Sequence, residues 1–168
     1  WRDWSSDVCS SDLNETVRTA LRDAVAGLCR AVPWLGGFFT ITASENQTNC
    51  WSHGKGASCP RCSRRSPAEV IAEVNATFQQ GIETAGGTQR LLAWDWGWSE
   101  AWATDAIDLL PPAVTTMSVS EWSLPIERGG VRSAVGEYCL SIDRPGPRAL
   151  RHWSHARAHG RRVAAKLQ

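Results

Sequence analysis

Within thirteen residues, the run Cys50-Trp-Ser-His53-Gly-Lys-Gly-Ala-Ser-Cys59-Pro-Arg-Cys62 carries three thiols and one imidazole. Thiolate and imidazole are the ligands zinc takes, and the Cys-x2-His and Cys-x2-Cys gaps let each pair turn toward one ion, so Cys50, His53, Cys59 and Cys62 form a candidate closed tetrahedral site. Gly54 and Gly56 permit the tight turn between the pairs. Four protein ligands leave no open coordination position. The zinc expected here is therefore structural, pinning a long loop. Disulfide pairing in an oxidising compartment and a catalytic metal centre remain the alternatives.

A second set of residues suits proton transfer. Three apolar runs each end on an acid: Glu45 after Phe38–Thr42, Asp95 after Leu91–Trp94, and Glu121 after Val114–Ser120. A carboxylate at a buried strand end is costly unless it is paired, ligated or functional. Salt bridges and helix caps are the structural alternative. Trp94, Trp96, Trp98 and Trp122 flank Asp95 and Glu121, with Trp51 and Trp102 close in sequence. Indole rings are flat and apolar with an N–H at the edge, which matches the flat C–H faces of sugars, although core packing serves the same residues equally well. Carboxylates beside indoles point to glycoside hydrolysis. That reaction uses one carboxyl to protonate the leaving oxygen and a second to attack the anomeric carbon or activate water, or lets a substrate acetamido group attack.

The elements that must position these groups can be read from periodicity. Asn14 is a plausible N-cap, and Val17, Leu21, Val25, Leu28 and Val32 recur at helical steps until Pro33 and Gly36-Gly37. A strand over 38–42 follows, then the cysteine loop. Ser66, Pro67 and Glu69 spell a capping box with Pro at the first helical position, opening a helix that ends at Gly86-Gly87. Residues 90–96 read as a strand, 99–110 as a short helix, 114–121 as a third strand, and 147–159 as a helix leading to a strand at Val163. The segment between Glu121 and Pro147 reads as a long excursion whose Gly-rich part, Pro125–Gly130, could close over a ligand. His152, His155 and His159 fall at i, i+3 and i+7 on the last helix among Arg148, Arg151 and Arg157. That stripe reads as a solvated outer face ahead of a metal site.

The order is α-β-α-β-α-β-loop-α-β. Strict alternation argues for a parallel sheet with helices packed outside it. At roughly forty residues per unit, eight units make a (β/α)8 barrel of about 300 residues, so the expected fold is an incomplete (β/α)8 barrel of about four β/α units. In such a barrel the C-terminal strand ends form one rim, which would bring Glu45, Asp95 and Glu121 to a common mouth. A doubly wound sheet is the alternative, but no Gly-x-Gly-x-x-Gly turn follows any strand.

The first thirteen residues stand apart. Asp3 through Leu13, eleven residues in a row, resemble the in-frame translation of a short-read sequencing adapter, and such segments are left out of fold reasoning. The expected domain then spans 14–168, with residues 1–13 non-native. Leaving them out moves the formal charge from +1 to +3, with 17 basic against 14 acidic residues. That is too mild to imply nucleic acid as a partner. No apolar run approaches the roughly 18 residues of a membrane-spanning helix. Both ends read as cut, so the expectation is an interior piece of a larger protein, inactive by itself.

One resemblance adds to this reading. Phe39-Thr-Ile-Thr-Ala-Ser-Glu-Asn46, Cys50, Cys59-Pro-Arg-Cys62 and the helix carrying Val74-Asn75 resemble a stretch of bacterial carbohydrate-active barrel proteins related to β-N-acetylhexosaminidases and endo-β-N-acetylglucosaminidases. It covers roughly residues 38–80. Those proteins carry Asn-Asp where this chain has Glu45-Asn46. The resemblance implies a glycoside hydrolase-like barrel acting on an oligosaccharide, N-acetylated or not. The expected catalytic set is Asp95 and Glu121 with Glu45 as a third member. Trp94, Trp96, Trp98 and Trp122 are the expected sugar contacts. A non-catalytic, zinc-stabilised carbohydrate-binding or scaffold protein is the alternative.

Overall fold

The computed structural model of the chain describes residues 15–44, 49–53, 55–60, 62–119, 124–134 and 145–166. Helix α1 spans Glu15–Ala31 and turns Val25, Ala26 and Cys29 inward. Its outer face is tied to the next helix by Arg18, which bridges Glu15 at 2.9 Å and Glu73 at 2.6 Å. Strand β1 (Gly37–Ile41) follows, then three short 3-10 turns at Cys50–His53, Lys55–Ser58 and Cys62–Arg64.

Helix α2, Pro67–Thr84, begins as its sequence dictates. The Ser66 hydroxyl accepts from the Glu69 N–H at 3.1 Å, and the Glu69 carboxylate accepts from the Ser66 N–H at 2.7 Å. That backbone bond, helped by the Ser66 hydroxyl, holds the Glu69 carboxyl below its ordinary value of 4.5. The contribution is present above that value and is lost as pH falls through the lowered one. Ser66→Ala is expected to cost about 1 kcal/mol, read as a shift in the urea midpoint at unchanged slope. A neutral substitution would show that the cap does not hold the helix start. Gly81 lets α1 approach, because a Cβ there would stand 2.8 Å from the Arg22 carbonyl oxygen and 2.7 Å from the Val25 Cβ.

Strand β2 (Arg90–Trp94), helix α3 (Ala103–Leu109), strand β3 (Thr115–Val119), helix α4 (Pro147–Ala158) and strand β6 (Val163–Lys166) complete the main layer. The sheet order is β1-β2-β3-β6, and every pair is parallel, with Thr40 opposite Ala93, Trp94 opposite Met117 and Ser118 opposite Ala165. The protein is thus α/β, built on a four-stranded parallel sheet.

A hairpin interrupts the expected alternation. Strands β4 (Pro125–Arg128) and β5 (Val131–Ala134) pair antiparallel across Gly129-Gly130. Both glycines have positive φ, 57° and 78°, the conformation that two-residue hairpin turns demand. The stretch read as a loop is therefore partly a separate, exposed two-stranded ribbon.

The core has two layers. On one side of the sheet, Leu91, Ala93 and Val114 pack with Val25 and Cys29 of α1, Ile71 and Ile82 of α2, Ala106 and Ile107 of α3, and Ala156 of α4. Burial raises the Cys29 thiol above its usual range. On the other side Trp94, Trp96, Met117 and Val119 cluster with Ile41, Leu92 and Ala164. That second cluster draws on the strands and on Trp96, two residues past β2. The four described helices therefore lie on one face of the sheet.

Candidate functional site

Period-two alternation in β2 decides where its terminal acid goes. Leu91 and Ala93 face the helices, and Asp95, two residues on, follows them. Its backbone N–H still donates to the Met117 carbonyl at 2.9 Å, so it sits at the last rung of the sheet. The side chain is fully buried. One carboxylate oxygen, Oδ2, accepts from Ser118 Oγ at 2.6 Å and lies 2.6 Å from His152 Nδ1. The other, Oδ1, lies 3.1 Å from Arg148 Nη1. Arg148, 4% exposed, also donates through Nη2 to the carbonyls of Asp95 at 2.9 Å and Trp98 at 3.2 Å. Glu100 closes the network from outside: its Oε1 is 3.0 Å from Arg148 Nε and 3.4 Å from His152 Nε2, and its Oε2 pairs with Arg151.

This arrangement is a clamp. In nucleophilic triads the imidazole stands between hydroxyl and carboxylate. Here the carboxylate stands between Ser118 and His152, and none of the three is open to solvent. The chemistry available is charge neutralisation, which fastens α4 to the ends of β2 and β3. Asp95 therefore does not share the sheet face that carries Trp94 and Trp96. That corrects the expectation of a free rim carboxylate at this position. Ser118, Arg148 and Glu100 were not singled out from the sequence; the only available signal was an Arg one residue inside a Pro-initiated helix.

The tryptophans divide as well. Trp98 is fully buried, donates its indole N–H to Thr42 Oγ1 at 3.0 Å and packs 6.2 Å from the Trp102 ring. It is a core residue and leaves no ring face for a sugar, which corrects its assignment as a platform. Gly97, at φ +73°, makes that corner possible, since a Cβ would stand 2.0 Å from the Ala43 carbonyl oxygen. Trp94 and Trp96, buried at 3% and 7% exposure, lie on the face opposite the described helices, 5.6 Å apart, with Phe39 6.4 Å from Trp94 and Lys166 Nζ 4.6 Å over the Trp94 ring.

The cysteine loop forms a separate centre. The ligand atoms of Cys50, Cys59 and Cys62 lie within 4.8 Å of one another, and the Cys62 N–H donates to Cys59 Sγ at 3.5 Å. The loop is moored to the end of β1: Asn49 Nδ2 and Ser52 Oγ both donate to the Thr42 carbonyl, at 2.6 and 3.2 Å. Gly56 lies against the Trp51 ring, where a Cβ would sit 2.2 Å from its atoms. Three sulfurs meeting at one point could hold a metal ion, whereas a disulfide would pair two and leave the third beside them.

Glu45, Glu121 and Trp122 lie outside the described residues, as does the His53 side chain. Of the expected sites, the cysteines are thus brought together, and Asp95 is turned away from the tryptophan pair. Set against known proteins, the chain matches no family model, no curated protein and no solved structure.

Proposed function

We propose that the sheet is part of a (β/α)8 barrel, and that the protein carrying it is a glycoside hydrolase-like enzyme acting on an oligosaccharide. The observation that carries this reading is the one-sided placement of the four described helices on a parallel sheet whose strands run in sequential order. A doubly wound sheet covers both faces with helices and reverses its strand order. A barrel keeps helices outside and turns the other face toward its own axis. Among the described residues, Trp94 Nε1 is buried with no acceptor, which supports a further group, protein or ligand, over that face.

The proposed acid pair is Glu45 and Glu121, the residues that follow β1 and β3. Those strands are separated by β2 alone, so their backbones stand roughly 10 Å apart. Two carboxyl groups act on a glycosidic bond across about 5 to 9.5 Å, a span of the same order as that strand separation. One protonates the leaving oxygen; the other attacks, activates water, or orients a substrate acetamido group, the last being the chemistry that the resemblance implies. Trp94, Trp96 and Trp122 are the proposed sugar contacts. Asp95 is reassigned as a positioning residue. Zinc is the proposed metal at Cys50, Cys59 and Cys62, with His53 as fourth ligand, because thiolates select it. No step of the reaction runs through it.

A second reading, a non-catalytic carbohydrate-binding or scaffold protein, is favoured by the one expected rim acid that is described: Asp95 is buried and paired with Arg148 and His152 of α4. Glu121→Gln and Glu45→Gln in the complete gene product separate the two readings. The enzyme reading expects hydrolysis of aryl N-acetyl-β-glucosaminides or chito-oligosaccharides to fall by about 10²–10⁴-fold with sugar binding retained. Wild-type protein that binds these sugars without cleaving them would establish the second reading.

A further inference from the structure

The last helix carries a cluster that neither the clamp nor the cysteine loop uses. His155 Nε2 lies 2.8 Å from Asp108 Oδ1, and His159 Nδ1 lies 3.7 Å from the same oxygen. The two imidazole rings stack at 4.5 Å, tilted by 38°. One ligand atom from each of the three residues falls within 4.8 Å of the others. All three side chains reach solvent, at 40% for Asp108, 27% for His155 and 52% for His159, so an ion can enter without opening the fold.

We propose that Asp108, His155 and His159 form a divalent transition-metal site joining α3 to α4. Two imidazoles and one carboxylate are a nitrogen- and oxygen-rich donor set that suits zinc, nickel and copper, with affinity rising toward copper in the usual order. Bonds of about 2.0–2.2 Å to a shared ion bring ligand atoms to roughly 4 Å or less from one another, so small side-chain rotations complete the site. The ion replaces the Asp108–His155 hydrogen bond; His159 Nδ1 stands 2.9 Å from the His155 carbonyl oxygen, so His159 ligates through Nε2 or gives up that contact. Arg161 does not compete for the carboxylate, since it pairs with the backbone carbonyl of Asp108. Three ligands leave coordination positions for water.

The placement says what the ion does. Asp108 is in the last turn of α3, and His155 and His159 are at the end of α4. Both helix ends lie at the side of the sheet where strands begin, away from Asp95 and the cysteine loop. In parallel α/β folds that side serves stability, while chemistry gathers at the other. The metal is a clasp between the two helices.

Equilibrium dialysis of the full 168-residue chain against Ni²⁺, run beside His159→Ala and His155→Ala/His159→Ala, tests the proposal. Taking differences between proteins removes any metal held by the cysteine loop. The wild type is expected to bind one more equivalent than the double variant, and His159→Ala to weaken that equivalent at least about tenfold. His159 is half exposed, so its loss leaves packing intact, and an unchanged far-UV circular dichroism spectrum confirms this. Asp108→Asn should weaken the same equivalent. Equal nickel uptake by the wild type and the double variant would overturn the site.

Discussion

Arg148→Met unfolds the chain at markedly lower denaturant, with a loss of about 3–5 kcal/mol. The side chain is 4% exposed and its charge is paired with two carboxylates. It meets Asp95 Oδ1 at 3.1 Å, Glu100 at 3.0 Å, and the carbonyls of Asp95 and Trp98. Methionine fills much of the volume but removes the positive charge, which leaves the Asp95 carboxylate buried with only Ser118 and His152 as partners. Removing one member of a buried pair costs far more than the pair contributes, because the remaining charge stays desolvated. Asp95→Asn is expected to destabilise as well, and the double variant should lose less than the sum of the singles. Urea titrations followed by tryptophan fluorescence give all three values. A loss below about 1 kcal/mol for Arg148→Met, the scale of an exposed ion pair, would mean that the clamp does not hold α4 in solution.

Much of the framework was legible because its signals are local. The Ser66–Glu69 box, the proline at the start of α4 and the Gly86-Gly87 stop act within one turn of chain, and the elements begin where those residues say. Which face a residue takes is a different matter. Parallel strands are buried on both sides, so Leu91, Leu92, Ala93 and Trp94 read as one apolar run with no marker of which alternate set meets the helices. The end of the run showed that Asp95 sits at a strand terminus; only the placement of α4 shows that it turns outward beneath that helix. The histidine stripe failed in a related way. Residues 152, 155 and 159 do share one side of α4, but His152 is 1% exposed beside Asp95 while His155 and His159 reach Asp108 a turn or more away. Angular spacing is blind to what lies along the axis. In α1 the expected inward Leu28 is 45% exposed and Cys29 takes the core position instead, a one-residue shift that helix packing decides. The hairpin at Gly129-Gly130 did carry a signal, two glycines between short β-prone runs, and was masked by the exposed, charged residues on both arms.

The cysteine loop gives the second large effect. Zinc is expected to bind the reduced chain with one equivalent lost on Cys62→Ser, and to raise the melting temperature, since at a thousandfold excess over the dissociation constant a ligand bound only to the folded state contributes about 4 kcal/mol. The physical reason lies in what a shared cation does for this segment. Between β1 and α2 the described chain forms three short 3-10 turns, moored to the end of β1 through Asn49 and Ser52. Three thiols held within 4.8 Å repel one another once ionised, and a cation removes that cost while fixing the turns. Cobalt substitution reads the ligands directly, because sulfur-to-cobalt charge transfer gives an intense near-ultraviolet band that nitrogen and oxygen donors do not. Cys50→Ser and Cys59→Ser should each weaken that band. His53→Ala should leave it in place while changing the visible bands that report coordination geometry, if the imidazole completes the tetrahedron. A chain that takes up cobalt with no charge-transfer band would show that these sulfurs do not bind metal.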